Sequence, residues 1–310
     1  MYKTRRVCVV VPAFNEAESV SGVIRTMPPI VDDIVVVDDA STDGTSDVAL
    51  SVGDPRVRIV RHPRNSGVGA AIVTGHQKAL ELRADVCVVM AGDGQMDPTY
   101  LPSLLDAVTD GGYDFAKGNR FLTRGTLAGM PPHRVAGSII LTFLTKFASG
   151  YWHIFDPQNG YTAVTADALE ALPLDRLRKD YLFENDILCE LYIRGFRVKD
   201  VPIPARYPTT RSGIRVGRFA TSAIWFLLRK FWRRMVVRYV VRDFHPVAVF
   251  YGLGSALLLL GVGLGVWIGI LALGPNSPTA GTVLLAVVPF LIGLQMVLTA
   301  VTLDVWLTPR

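Results

Sequence analysis

The stretch Val7-Cys8-Val9-Val10-Val11-Pro12-Ala13-Phe14-Asn15-Glu16 decides the fold. Its first five residues are apolar and mostly β-branched with no alternation, which is how a strand buried on both faces reads. The grammar returns in Ile34-Val35-Val36-Val37, Val57-Arg58-Ile59-Val60, Val86-Cys87-Val88-Val89-Met90 and Asp114-Phe115-Ala116. Residues 16–27, 43–52 and 67–83 lie between these runs with room for crossover helices, and Ser41 or Thr42 can cap the second. This βαβ series predicts a mainly parallel α/β sheet with its ligand site beyond the C-terminal strand ends. Those ends read Pro12 to Glu16, Asp38-Asp39-Ala40-Ser41 and Ala91-Gly92-Asp93-Gly94-Gln95, so acids and amides gather where the topology puts a site.

Half of the 310 residues are hydrophobic and 19% are charged, which fits neither disorder nor a nucleic-acid-binding tail. The net charge of +5 is local, because residues 218–246 hold seven Arg and Lys against one acid. The 57 residues from 247 to 303 contain no Asp, Glu, Lys or Arg, as expected of membrane spans. Runs at 247–273 and 283–303 predict a helical hairpin, and the preceding arginines place both its ends in the cytoplasm. Arg229, Lys230, Arg233, Arg234, Arg238 and Arg242 recur at spacings of three and four, with Ile224, Leu227, Leu228, Phe231 and Met235 toward another face. That is a basic amphipathic helix, or two, suited to a headgroup layer. Gly252, Gly254, Gly261, Gly263 and Gly265 allow close helix packing, within the hairpin or between copies in a homo-oligomer. The expected division is a domain at 1–217, juxtamembrane helices at 218–246 and a hairpin at 247–310. Cys8, Cys87 and Cys189 share no ligand spacing and are expected as packing residues in a reducing compartment. The five-residue apolar run near the N-terminus is too short for a signal-peptide core, so the polar part is expected in the cytoplasm, on a multi-pass inner-membrane protein.

Asp93 and Gln95, flanking Gly94, can hold a hard divalent cation that already bridges a diphosphate. Asp38 or Asp39 can accept from a ribose hydroxyl or a base N–H, and Phe14 with Glu16 can face a base. Phe183-Glu184-Asn185-Asp186 is a further acidic cluster at a helix start, suited to capping or to a site. The five histidines share no metal-ligand spacing. Gly67-Val68-Gly69 lacks the third glycine of a dinucleotide fingerprint, and no Gly-Lys pair offers a P-loop.

Taken in order, these motifs resemble the family 2 inverting glycosyltransferases of GT-A fold, and among them the polyprenyl-phosphate enzymes typified by dolichyl-phosphate mannose synthase. The resemblance runs from residue 7 to about 216. It rests on Val11-Pro12-Ala13-Phe14-Asn15-Glu16, Val37-Asp38-Asp39-Ala40-Ser41-Thr42-Asp43-Gly44-Thr45, Asn65-Ser66-Gly67-Val68-Gly69, Gly92-Asp93-Gly94-Gln95, Gly118-Asn119-Arg120 and Asp156-Pro157-Gln158-Asn159-Gly160-Tyr161. The two-span tail is similar to that of bacterial polyprenyl-phosphate glucosyltransferases.

The resemblance implies a GT-A domain that transfers a hexose from a UDP- or GDP-sugar to a polyprenyl phosphate, with Mg²⁺ or Mn²⁺ as cofactor. Pro12, Phe14, Glu16 and Asp39 then resemble the base and ribose contacts, and Asp93 with Gln95 the metal pair. Arg120 and Arg134, fourteen residues apart, resemble the arginines that grip the lipid phosphate. Arg206, with Arg211 or Arg215, resembles the basic groups of a loop closing over both substrates. The family's metal motif often begins with an acid where this chain has Ala91. A phosphate acceptor is already anionic, so no strong general base is required. Two other readings are a transferase acting on a sugar hydroxyl and a non-catalytic membrane scaffold. The Gln-x-x-Arg-Trp motif of processive synthases is absent, since no Trp follows an Arg.

Overall fold

The computed structural model describes residues 1–122, 132–204, 216–274 and 278–309, and the side chains of 132–134 and 216–220 lie outside that description. Strands β1 (Val7–Ala13), β2 (Asp33–Asp38), β3 (Val57–Arg61), β4 (Val86–Val89), β5 (Phe115–Asn119), β6 (Thr162–Thr165) and β7 (Val198–Pro202) form one sheet, ordered β3-β2-β1-β4-β6-β5-β7. Only β6 runs antiparallel to its neighbours. The five runs expected as strands are strands. The two later ones come from 120–217, where short elements and many prolines hide any period.

Helices α1 (Val20–Arg25), α2 (Thr45–Ser51), α3 (Val68–Glu81), α4 (Leu101–Thr109), α5 (Pro132–Ser149), α6 (Ala166–Ala171) and α7 (Phe183–Arg194) accompany the sheet. Every residue of β1, β2 and β4 is buried. Alternation sends Cys8, Val10 and Val35 into one apolar layer with Ile72 of α3 and Leu191 of α7. Val7, Val9 and Val36 enter the other with Ile24 of α1 and Leu104 of α4. Cys8, Cys87 and Cys189 are buried and unbridged.

Helix α1 is shorter than the expected 16–27 because residues 14–19 make a turn instead. Asn15 is left-handed (φ +56°) and donates its N–H to Ser41 Oγ, while Glu16 N–H donates to Thr45 Oγ1. Ser41 and Thr42 therefore do not cap α2. Gly44 stands at the cap position, Ser41 Oγ serves Asn15, and Thr42 N–H donates to the Asn15 side chain.

The chain divides into compact units at 1–230 and 231–308. Helix α8 (Val216–Arg234) continues into a π-helical stretch, Met235–Arg242, ahead of α9 (Pro246–Leu271) and α10 (Ala280–Trp306). The last two, of 26 and 27 residues, are long and apolar enough to cross a membrane. The expected basic stripe is only partly outward. Lys230 is turned onto Asp186 and Glu190 of α7. Arg234 is fully buried in a bidentate pair with Asp304 (2.6 and 2.9 Å), whose Oδ1 also accepts from Tyr239. Removing either partner of such a pair strands a buried charge, which fixes which face of the helix turns inward. Leu227 and Met235 are likewise buried, whereas Ile224, Trp225, Leu228, Trp232 and Val236 are exposed.

Glycines split by role within the hairpin. A Cβ at Gly261 would stand 2.7 Å from the Phe290 backbone nitrogen, and one at Gly293 would stand 2.6 Å from that of Leu258. A Cβ at Gly252, Gly263 or Gly265 would meet nothing within 4 Å. Gly261→Val is therefore expected to destabilise the hairpin by about 1–3 kcal/mol, the usual range for overpacking, and Gly263→Val to change it little. Thermal unfolding of the two variants in detergent checks the contrast.

Candidate active site

Strand order reverses between β1 and β4, and the crevice beyond their C-terminal ends is where ligands bind in such sheets. Val10 pairs with Val89 in register, so Pro12 to Glu16 and Met90 to Gln95 emerge side by side. Gly92 N–H donates to Pro12 O at 3.1 Å, closing one loop against the other. Asp93 Oδ1 accepts from Gln95 N–H (3.0 Å), forming a tight turn with Gly94 left-handed (φ +73°). Asp93 is half-buried and Gln95 is exposed. Phe14 is 46% exposed, while Pro12 is buried. Glu16 holds the Ser19 hydroxyl at 2.7 Å. Burial first, and then the charges of Asp93 and Asp43, push its carboxyl above the usual range against that hydrogen bond. Glu16 and Asp93 thus bring two negative charges toward one space.

The paired aspartates after β2 are spent differently from the expectation of a free ribose acceptor. Asp38 is buried and accepts from Ser41 N–H at 2.7 Å and from the Ser46 hydroxyl, so it serves the turn into α2. Burial opposes its charge, but these hydrogen bonds and Arg61 hold its carboxyl below the usual range. Asp39 accepts from the N–H groups of Ser66 and Gly67, each at 2.8 Å, and sits 2.7 Å from His62 Nδ1. Its carboxylate pins the loop that opens α3. That loop is tight. Gly67 has φ +97°, and a Cβ there would stand 2.3 Å from Lys179 O.

Arg120, just after β5, makes a bidentate pair with Asp156, both bonds 2.7 Å. Burial resists the Asp156 charge, but the Arg120 hydrogen bonds and the Arg120 and Lys117 charges outweigh it and lower its pKa. Asp156 therefore fixes the orientation of the Arg120 guanidinium, a feature sequence spacing did not show. Beneath it, buried Lys117 donates to Asp200 Oδ1 (3.0 Å) and Phe155 O (2.6 Å). Asp200 Oδ2 accepts from Asn119 Nδ2 (2.6 Å) and Phe155 N–H (2.7 Å). This network welds β5, β7 and the 155–161 loop together. Lys117 and Asp200 went unnoticed in the sequence because each sits alone inside a strand, without motif neighbours. Arg134 falls in the first turn of α5 with its side chain outside the described residues, and Arg206, Arg211 and Arg215 lie outside them altogether.

Residues 8–172 match the profile described as Glycosyl transferase family 2. The chain belongs to that family. This family 2 chain is 36% identical over 207 residues to the polyprenol monophosphomannose synthase of Mycolicibacterium smegmatis, covering 64% of this chain and 77% of that protein. It is 35% identical over 204 residues to the undecaprenyl-phosphate mannosyltransferase of Micrococcus luteus, covering 64% and 82%. Among solved structures it is similar in fold to glucosyl-3-phosphoglycerate synthase of Mycobacterium tuberculosis, held with Mn²⁺, UDP and its product, at TM-score 0.58 and 22% identity over 73% of this chain and 80% of that one. The domain is thus a GT-A-like α/β fold, as the sequence motifs implied.

Among the described residues no cluster of three or more His, Cys, Asp or Glu is prearranged for a metal. Asp93 with Gln95 nevertheless fits the way Mg²⁺ and related hard cations bind beside nucleotides, through one or two carboxylates, waters and the substrate's phosphates. Glu184, in the first turn of α7, is a more unusual acid. Burial above all, with the Asp180 charge adding to it, pushes its carboxyl up to about 7, against a hydrogen bond from its own backbone N–H.

Two measurements follow from this geometry. Asp200→Ala leaves the Lys117 ammonium buried without its carboxylate and is expected to cost about 3 kcal/mol, as for other broken buried pairs, read as a lower denaturation midpoint. Glu184 has a folded-state pKa above that of the unfolded chain, so its ionisation opposes folding. The stability of the native protein relative to Glu184→Gln should fall as pH rises from about 4.5 to about 7 and level off above, in paired melting curves.

Proposed function

We propose that this family 2 glycosyltransferase moves a hexose, with inversion, from a UDP- or GDP-sugar to a polyprenyl phosphate at the cytoplasmic face of a membrane. The observation that carries the reading is the Asp93-Gly94-Gln95 turn at the β1/β4 switch point, in a chain that also holds two helices of membrane-crossing length. The names of the mannosyl-transferring relatives support the acceptor class and make mannose the first sugar to test. In this reading the chain divides into a catalytic domain at 1–217, basic juxtamembrane helices at 218–246 and an anchoring hairpin at 247–310.

Phe14 stacks on the base, and Glu16, beside Pro12, takes its polar edge or the ribose. Asp39 contributes through the loop it pins and through the remaining lone pair of Oδ2. Asp93 and Gln95 would hold Mg²⁺ or Mn²⁺, and a divalent cation there would supply stabilisation of negative charge on the departing nucleoside diphosphate. Arg120, oriented by Asp156, and Arg134 hold the lipid phosphate, whose planar-fork recognition suits arginine. Arg206 with Arg211 or Arg215 closes over both substrates. An anionic phosphate oxygen aligned behind the anomeric carbon then attacks in line. The phosphate supplies its own charge, and no residue has to remove a proton for the bond to form.

The test is transfer of labelled hexose from GDP-mannose and UDP-glucose to undecaprenyl phosphate in detergent, with Mg²⁺ or Mn²⁺, followed by extraction into organic solvent. Label should enter the organic phase and disappear with EDTA. Asp93→Asn should lower transfer at least 100-fold while leaving the melting temperature unchanged. Full turnover in that variant would refute the metal role of Asp93.

A further inference from the structure

Arg120 and Arg134, the two groups proposed for the acceptor phosphate, sit on separate elements, Arg120 just after β5 and Arg134 in the first turn of α5. Both can grip one anion only if those elements keep a fixed register. The 156–161 loop belongs to the Arg120 side. Asp156 pairs with the Arg120 guanidinium, Gly118 N–H of β5 donates to Tyr161 O (2.8 Å), and a Cβ at Gly118 would stand 2.8 Å from Asn159 Nδ2. Helix α5, on the Arg134 side, meets α7 through Leu141, Leu144 and Ala148, packed with Cys189. Apolar contact of this kind is non-directional and does not by itself fix where along its neighbour a helix stands.

Asn185 joins the two sides. In the first turn of α7 and fully buried, it donates from Nδ2 to Thr145 Oγ1 of α5 (2.8 Å) and accepts at Oδ1 from Gln158 Nε2 of the loop. The direction of the amide follows from Thr145, whose hydroxyl proton goes to Leu141 O (2.7 Å) and leaves only lone pairs for Asn185. A single buried Asn sets register in helical interfaces in the same way, because its hydrogen bonds are directional where the surrounding contacts are not. Gln158 is half-buried and can turn to water if it loses this partner, and Thr145 keeps Leu141 O. Removing the amide therefore strands no fully buried polar side chain, so the bridge contributes position more than stability.

We propose that Asn185 is a positioning residue for the acceptor: by tying Thr145 of α5 to Gln158 of the Asp156 loop, it sets the helix of Arg134 against Arg120 so that both guanidinium groups meet one phosphate monoester. This rests on the proposed function and adds the part of the core that sets the spacing of the two arginines. Thr145 lies about three turns along α5 from Arg134, and a helix carries a shift at one end to the other. The effect falls on the acceptor rather than the donor. Phe14, Asp39 and the Asp93 turn leave β1, β2 and β4, and among the described residues none of them shares a hydrogen bond with Asn185, Thr145 or Gln158.

The experiment measures transfer kinetics of the full-length protein in detergent with undecaprenyl phosphate and whichever of GDP-mannose and UDP-glucose the native protein uses. Calorimetry gives the affinity for that sugar nucleotide with Mn²⁺ and without acceptor. Asn185→Leu, which removes the amide and keeps a side chain of similar length, should raise the acceptor KM at least tenfold, leave sugar-nucleotide affinity within twofold and melt as the native protein does. Thr145→Val should move the acceptor KM in the same direction and Thr145→Ser should restore it, which carries the test if the leucine variant fails to fold. An unchanged acceptor KM in folded Asn185→Leu protein would overturn the inference. So would equal weakening of acceptor and sugar nucleotide, the mark of general structural damage, or Thr145→Val and Thr145→Ser proteins that do not differ. A native protein that binds a sugar nucleotide but transfers nothing to undecaprenyl phosphate would overturn the proposed function itself, and this inference with it.

Discussion

The parallel pairing of β1 with β4 is the constraint on which the rest depends. Both strands are buried on both faces, so neither can slip by one residue without driving its valines from one apolar layer to the other. That fixed register delivers Pro12 to Glu16 and Asp93 to Gln95 to the same height at the sheet edge. The crevice is thus set by the core rather than by its own loops, and the loops only need to be short and tight.

Much of the acidity around the crevice holds backbone rather than ligand. Asp38 closes the turn into α2, Asp39 pins the loop into α3, and Asp200 joins β7 to β5 and to the 155–161 segment. Asp156 orients an arginine. Carboxylates suit this work because each can accept from several N–H donors at once, and such charge-assisted bonds are stronger than neutral ones. Among the described residues around the β1/β4 crevice, Asp93 takes only the Gln95 N–H, and Glu16 only the Ser19 hydroxyl and backbone-loop contacts. These two carboxylates are less committed than Asp38, Asp39, Asp156 or Asp200. For the proposed reaction, with two anionic substrates, tied-down carboxylates lessen repulsion.

The segment that leads to the apolar helices follows a similar rule of paired charges. Lys230 is matched to Asp186 and Glu190, and Arg234 to Asp304, while Arg229, Arg233 and Arg242 stay exposed alongside Trp225, Leu228 and Trp232. A row mixing exposed arginines with exposed aromatics and leucines is the composition expected at a headgroup layer. Within the hairpin, backbone approach at Gly254, Gly261 and Gly293 replaces the hydrophobic drive that apolar surroundings cannot supply.

The sequence by itself determined the strands of the first half, the two long apolar helices and the places where site residues leave the sheet. Runs of buried valine and of uncharged residues are local signals that survive without any knowledge of packing. It also pointed to the Asp93-Gly94-Gln95 turn and to Arg120. Tertiary structure alone decided how those groups are used. Asp38 and Asp39 read alike in the chain, yet one faces the turn into α2 and the other the 62–67 loop, because successive residues leave a strand in opposite directions. The basic stripe looked uniform until Asp186, Glu190 and Asp304, 40 to 70 residues away, turned two of its members inward. Glu184 gave only an acid at a helix start. Its approach to Gly160, next to Met96, depends on β6 running backward through the sheet, a long-range pairing that no local pattern encodes.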